Sequence, residues 1–143
     1  MAGQLSTGSQ ERMLESASGG LVDGGNGRNR AEQHFLAALE MFAAGEQQRA
    51  IAEYQLCLAA DPGFTDAMHG LVRIYQDLEQ IEDAIAAARR ITETDAEDVL
   101  AHTSLSILYQ KKGMVPEAEA EANKARILGW KHQLREQKSK LTG

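Results

Sequence analysis

Three stretches of this sequence share one pattern of small residues: RAIAEYQLCL (49–58), DAIAAARR (83–90) and EAEAEANKAR (117–126). Their alanines Ala50, Ala84 and Ala118 stand at equal intervals along the chain. Two antiparallel helices approach closely only where the facing side chain is small. The alanine column therefore predicts tightly packed helix pairs that repeat along the chain.

Further columns have the same period. A shift by the interval between these alanines aligns Met41 with Tyr75 and Tyr109, Ala37 with Leu71 and Leu105, Tyr54 with Ala88 and Ala122, and Cys57 with Ile91 and Ala125. Apolar residues recur at helical spacing from Ala31 onward, without the alternation that is typical of strands. The sequence predicts an all-α chain with helices at 30–44, 47–60, 64–78, 81–94, 97–112, 115–128 and 131–141.

Local signals support the boundaries of these helices. Gly45 and Gly113 follow the first helix of their pairs, where a left-handed closing residue is favoured. Pro116 falls in a first turn, where its missing N–H costs little. Asp98 and its acidic neighbours suit the start of the fifth helix, because exposed N–H groups favour negative charge there.

With these residues the sequence resembles the tetratricopeptide repeat family, whose unit is a 34-residue helix–turn–helix. The resemblance covers about 31–130, and the unit length equals the interval of the columns. The matching residues are Ala50, Tyr54, Asp61 and Pro62 in the first unit, Leu71, Tyr75 and Ala84 in the second, and Leu105, Tyr109, Gly113 and Ala118 in the third. The departures are Glu79 at a turn, Ala96 in place of proline, Gly129 and Trp130 in place of Asp-Pro, and His34, Met68 and His102 at the family's aromatic position.

The resemblance implies a right-handed α–α superhelix, a solenoid of three helix–turn–helix repeats with a C-terminal capping helix. The repeat domain would span 29–130, with units at about 31–64, 65–98 and 99–130. Residues 1–28 are rich in Gly and Ser and are predicted to form a flexible tail. Residues 131–143 are predicted to cap the last unit, with Trp130 and Leu134 on the apolar side.

Charge is unevenly distributed in this chain of net charge −6. Residues 1–110 contain 7 Lys and Arg against 17 Asp and Glu, whereas residues 111–143 contain 8 against 4. The acidic body makes nucleic acid an unlikely partner, because phosphate binding requires clustered cations. The basic end has three interpretations, an acidic partner, RNA or a solvated cap, of which we favour the cap. Its cations are Lys124, Arg126, Lys131, Arg135, Lys138 and Lys140.

The sequence predicts a cytoplasmic protein without membrane insertion. It has no apolar run near the roughly 18 residues of a membrane span, and its polar start lacks a secretory signal. Cys57 is the only cysteine, so an internal disulfide is excluded.

The sequence predicts no catalytic residues, no metal site and no cofactor. His34 and His102 occupy equivalent positions in the repeat, which favours packing over metal ligation. The stretch GGLVDGGNGRN (19–29) lacks the Gly-Lys-Ser/Thr end of a phosphate loop. The stretch ETDAED (93–98) lacks the central glycine of a calcium loop. Cys57 is predicted to be a small buried residue without reactivity.

The resemblance also implies a site. In the family the first helices of the pairs line a concave groove, which holds a peptide or helix of another protein. The corresponding residues here are Phe35, Leu39, Phe42, His69, Arg73, Gln76, Leu100, Thr103, Ile107 and Gln110. Chaperone-binding members hold a C-terminal carboxylate with Lys and Asn, but these positions here carry Phe35, Leu39, Gly70, Leu100 and Ser104. No such carboxylate clamp is predicted.

These observations predict a noncatalytic adaptor or scaffold that binds an apolar peptide or helix. The alternative is a permanent structural accessory subunit of a larger enzyme assembly. Phe35, Leu39 and Phe42 form one apolar stripe on the first helix. Two other occupants of this stripe stay open: a second copy of the chain, giving a homo-oligomer, and the chain's own tail. The tail would use Met13, Leu14, Leu21 and Val22.

Overall fold

The computed structural model describes residues 23–142. Within this range the chain forms six α-helices and no strand, which confirms the all-α prediction. The helices are α1 (Asp23–Ala43), α2 (Gln47–Ala60), α3 (Thr65–Asp77), α4 (Ile81–Thr94), α5 (Val99–Lys111) and α6 (Val115–Thr142).

Consecutive helices form three pairs. Helix α1 packs on α2, α3 on α4 and α5 on α6, and the pairs stack through contacts of α2 with α3 and of α4 with α5. The alanines of the repeating column, Ala50, Ala84 and Ala118, are at most 3% exposed. Their burial agrees with the requirement for small side chains where two helices meet.

The same turn closes the first helix of every pair. Gly45, Glu79 and Gly113 have φ angles of 79°, 58° and 76°, in the left-handed region. The next N–H in each turn donates to a carbonyl five residues earlier, from Glu46 to Met41, from Gln80 to Tyr75 and from Met114 to Tyr109. This bonding closes a helix C-terminus in the Schellman motif and satisfies carbonyls that would otherwise lack partners.

Glu79 is the one non-glycine residue at these three turns, so Glu79→Gly is expected to stabilise the fold. A side chain in the left-handed region costs roughly 1 kcal/mol, which glycine avoids. We expect the free energy of unfolding to rise by about 0.5–1 kcal/mol in urea denaturation. The matched control Gly113→Ala should lower it by a similar amount, and a destabilised Glu79→Gly variant would contradict this view of the turn.

The predicted tail is too long at its C-terminal end, because helix α1 already begins at Asp23. A Cβ at Gly27 would lie 3.1 Å from the Ala60 carbonyl oxygen. Arg28 bonds Asp61 at 3.3 Å and lies over the ring of Phe64. These contacts with the α2–α3 turn hold a Gly-rich segment helical against its low propensity. Residues 1–22, including the tail residues considered for the groove, lie outside the described range.

The separate capping helix at 131–141 is also a wrong prediction. Helix α6 continues without a break from Val115 to Thr142. Gly129 is the only candidate stop, and a single glycine inside a helix costs just about 1 kcal/mol. The continuation carries Trp130 out to solvent, so its side chain does not cover the last unit.

Residues 131–142 instead contact the turn between α4 and α5 through ion pairs with one carboxylate, that of Glu97. The Glu97 side chain lies 3.1 Å from Lys131 Nζ and 3.1 Å from Arg135 Nη1. Hydrogen bonds from these two cations lower the pKa of Glu97 from its ordinary 4.5 to about 2. The contacts therefore contribute fully above pH 4.5 and are lost as the pH falls towards 2.

Glu97→Gln is expected to loosen the end of α6, because an amide pairs weakly with two cations. Amide hydrogen exchange at neutral pH should speed up across residues 131–142, whereas the neighbouring Glu93→Gln variant should exchange as the wild type does. In the wild type, the side-chain carboxyl shift of Glu97 should titrate with a midpoint of about 2. A midpoint near 4.5 would show that the ion pairs do not form in solution.

Candidate functional site

The three first helices α1, α3 and α5 border a pocket of about 440 Å³. We refer to this pocket as the groove. Its lining residues are Phe35, Leu39, Tyr54, Asp66, His69, Gly70, Val72, Arg73, Gln76, Leu100 and Ser104. The groove therefore draws side chains from all three helix pairs, although they are distant in sequence.

Six of the ten residues predicted for the site line the groove: Phe35, Leu39, His69, Arg73, Gln76 and Leu100. Phe42 lies beside it, with its ring centroid 5.8 Å from Cζ of Arg73. Thr103, Ile107 and Gln110 are not part of the pocket lining but are exposed on α5. They follow Leu100 at steps of three and four residues, so they continue its helix face.

Tyr54 and Val72 line the groove although the sequence placed neither in the site. Both are buried residues of the core that also reach the groove. Tyr54 lies so close to α3 that a Cβ at Gly70 would be 2.4 Å from its Cζ. Glycine at position 70 is therefore required by the tyrosine ring. A glycine in a helix interior, away from any turn, was the sequence signal for this close approach.

The α1 end of the groove is aromatic. The ring centroid of Phe35 lies 5.1 Å from that of Phe64 and 6.0 Å from that of Tyr54. Tilted aromatic pairs at these separations are stabilising beyond their burial. They hold Phe35 in place at the groove, next to the partly exposed Leu39.

The middle of the groove is polar at the equivalent repeat position. His69 and Asp98 stand one repeat after Phe35 and Phe64, and His69 Nε2 lies 3.0 Å from Asp98 Oδ2. The other carboxylate oxygen of Asp98 accepts a 2.9 Å hydrogen bond from the N–H of Ala101. Asp98 thus caps α5 and orients His69 at once, which links α5 to α3 across the groove.

Arg73 is the cation at the rim of the groove. Its Nε lies 3.4 Å from Asp77, and its guanidinium lies over Phe42. Asp66 lines the groove one turn before His69. Carboxylates therefore accompany the positive groups in the groove, and its ends at Leu39 and Leu100 are apolar.

His34 and His102 each pair with a glutamate away from the groove. His34 lies 2.7 Å from Glu53, and His102 lies 2.6 Å from Glu121, at the same positions of the first and third units. The equivalent positions of the two histidines predicted packing rather than metal ligation. The glutamate that follows each histidine by 19 residues was the sequence signal for the two carboxylate pairs. Within residues 23–142, no group of three or more His, Cys, Asp or Glu side chains is arranged to hold a metal ion.

Cys57 is fully buried in the repeat core. Burial, together with the nearby Asp61 carboxylate, raises the pKa of its thiol to about 11. The side chain is therefore a thiol at neutral pH, and thiols are poor nucleophiles. None of the helices between residues 23 and 142 has the length and apolarity needed to cross a bilayer.

The sequence profile of the tetratricopeptide repeat family matches residues 41–108. Among solved structures, MamA is similar with a TM-score of 0.70 and 25% identity, covering 72% of this chain and 60% of MamA. The chain thus spans less than two thirds of MamA. No curated protein matches the sequence significantly.

Two further solved structures share the fold. The second TPR of Spaghetti (RPAP3), bound to the HSP90 peptide SRMEEVD, has a TM-score of 0.66 and 19% identity over 71% of this chain and 94% of that one. The type III secretion translocator chaperone SycD of Yersinia enterocolitica has a TM-score of 0.63 and 21% identity over 68% of this chain and 73% of that one. At these identities the likeness extends to the fold alone.

Proposed function

Because this chain belongs to the tetratricopeptide repeat family through residues 41–108, we propose that it is a noncatalytic adaptor whose groove binds an apolar peptide or helix. The observation that carries the proposal is a groove between the first helices whose α1 and α5 ends expose large apolar side chains. Leu39, Leu100 and Ile107 remain 41%, 58% and 44% exposed. A concave surface bordered by exposed apolar side chains is typical of contact sites.

The energetics favour a partner segment with several large apolar side chains. Full burial of one aliphatic side chain contributes about 1.5–3 kcal/mol, so covering the exposed half of these three contributes roughly 2–4 kcal/mol. This is too little to offset the entropy lost on association. Polar contacts must therefore add to it, and Gln76 and Gln110 offer amide donors and acceptors along the same helices.

The charge around the groove disfavours an acidic partner segment. The positions of a carboxylate clamp hold Phe35, Leu39, Gly70, Leu100 and Ser104, all of them lining the pocket. Arg73 already has Asp77 beside it, and Asp66 and Asp98 add negative charge nearby. A buried carboxylate without a cationic partner is strongly disfavoured. We therefore propose a neutral or basic partner segment rather than an acidic tail.

A peptide library displayed on phage tests the groove directly. Peptides selected on the wild-type protein should carry spaced apolar residues, and their affinity for Leu39→Glu should fall at least about tenfold, because a charge would enter an apolar contact. Leu56→Glu is the matched control, since Leu56 is a similarly exposed leucine on α2 that does not line the groove. Equal binding by wild type and Leu39→Glu would overturn the proposal.

A further inference from the structure

The second half of α6 carries a row of large apolar side chains that the described chain leaves uncovered. Ile127, Trp130, Leu134 and Leu141 are 63%, 67%, 54% and 87% exposed. At 3.6 residues per turn they fall within an arc of about 60°. We refer to these four residues as the terminal stripe. Its first residue, Ile127, also borders a pocket beside Ala96. The stripe is independent of the groove, whose lining contains no residue of α6.

Beyond its first residue, the terminal stripe faces away from the repeats. The side of α6 that contacts them carries Glu121, which pairs with His102, and Lys131 and Arg135, which hold Glu97. The terminal stripe lies roughly 120° around the helix axis from that side. A solvated cap accounts for the cations of this segment but not for four exposed apolar side chains.

The charge of the segment indicates what covers the stripe. Residues 124–142 contain six Lys or Arg and one Glu, and six minus one gives a net charge of +5. Lys131 and Lys138 border the stripe on one side and Arg126 borders it on the other, by helical geometry. Glu136, the single acidic residue, falls almost opposite the stripe. The partner surface is therefore apolar and anionic.

A bilayer with anionic lipids has this chemistry. A helix with an apolar face bordered by Lys and Arg lies in the membrane interface, where aromatic rings such as tryptophan are favoured. A second copy of the stripe would bring another +5 charge to the contact, which opposes pairing of two stripes. We propose that the terminal stripe docks α6 onto the surface of an anionic phospholipid membrane, lying in its interface without crossing it.

The acidic repeats would set the orientation of the docked protein. Residues 26–110 contain 6 Lys and Arg against 14 Asp and Glu. An anionic surface repels this part of the chain and attracts the segment 124–142. The groove then stays free for a partner, and α6 acts as the point of attachment.

Trp130 is the only tryptophan of the chain, so its fluorescence reports on the terminal stripe directly. Vesicles of phosphatidylcholine with phosphatidylserine should shift its emission to shorter wavelength, and the full chain should float with them. Raised salt should weaken this binding, because screening reduces the attraction. Vesicles of phosphatidylcholine alone should bind far more weakly, and equal binding to both kinds would overturn the proposal.

Variants separate membrane docking from the pairing of two copies. Leu134→Glu should abolish flotation, and Lys138→Gln should weaken it about fivefold, as expected for one cation near an anionic surface. The exposed Leu56→Glu control should float as the wild type does, and so should the groove variant Leu39→Glu. Absence of a shift with anionic vesicles would overturn the proposal. A shift that appears with protein concentration alone would overturn it in favour of a second copy.

Discussion

Glu121→Ala is expected to lower the free energy of unfolding by about 2–3 kcal/mol, because it leaves a buried histidine without its carboxylate. His102 and Glu121 have side chains only 8% and 14% exposed, with 2.6 Å between Nδ1 and the carboxylate. The other ring nitrogen of His102 lies 2.8 Å from the Ala96 carbonyl oxygen. Each ring nitrogen of His102 thus has an oxygen beside it. Removal of the Glu121 carboxylate leaves one buried ring nitrogen without a hydrogen-bond partner. Urea denaturation measures the loss.

The second unit shows which replacement the fold tolerates. Met68 and Ala87 occupy the positions of His102 and Glu121 one repeat earlier. The double variant His102→Met/Glu121→Ala should therefore recover to within about 1 kcal/mol of the wild type, since an apolar pair can replace a buried polar pair. If the two single losses simply add in the double variant, the pair is not coupled and this account of it is wrong.

The more exposed pair in the first unit is the matched control. His34 and Glu53 have side chains 35% and 26% exposed. Solvent screens such a pair, so Glu53→Ala should cost less than about 1 kcal/mol. The difference between the two glutamate variants measures the effect of burial at one repeat position.

Gly70→Ala is expected to destabilise the protein by about 1–3 kcal/mol, although alanine is the better helix former. The new Cβ would lie 2.4 Å from Cζ of Tyr54, so the buried ring or α3 must move. The matched control is Gly129→Ala in α6, where nothing lies within 4 Å of the new Cβ. That variant should gain up to about 1 kcal/mol.

Thermal and urea unfolding of the two alanine variants should thus move in opposite directions. Combining Gly70→Ala with Tyr54→Leu should cost less than the sum of the single changes, because the smaller side chain removes the clash. A stabilised Gly70→Ala variant would show that Tyr54 does not pack on Gly70 in solution.

The repeat architecture was predictable because several columns of residues impose the same constraint. Ala50, Ala84 and Ala118 each require a close helix contact, and Gly45 and Gly113 each mark a left-handed turn. Glu79 takes the same backbone conformation without being glycine, since the helices on either side determine the turn. The repeat period therefore predicted a turn at Glu79, although a glutamate by itself does not indicate one.

The ends of the fold could not be predicted from local sequence. Helix α1 begins at Asp23 because Gly27 and Arg28 contact the α2–α3 turn, which is distant from them in sequence. Helix α6 runs through Gly129 because a weak local penalty does not end a helix. Local sequence could not predict the start of α1, because that start depends on tertiary contacts. It could not predict where α6 ends, because the helix penalty of one glycine is too small to stop a helix.

The helices that border the groove were predictable from the repeat, but the contacts among its side chains were not. Repeat geometry places Phe35, His69 and Leu100 in the lining of one groove. It did not reveal that Asp98 orients His69, nor that Tyr54 reaches the groove. These contacts are made through space between different units. The alignment of Phe35 and Phe64 with His69 and Asp98, one repeat later, was the signal that could have identified the first of them.

The most direct test of the central claim is amide chemical-shift mapping by NMR with a selected peptide. Binding in the groove predicts that the largest shifts fall on α1, α3 and α5, around Leu39, Gly70 and Leu100. Shifts confined to the outer faces of α2 and α4, or to α6, would contradict the claim that the groove holds the partner.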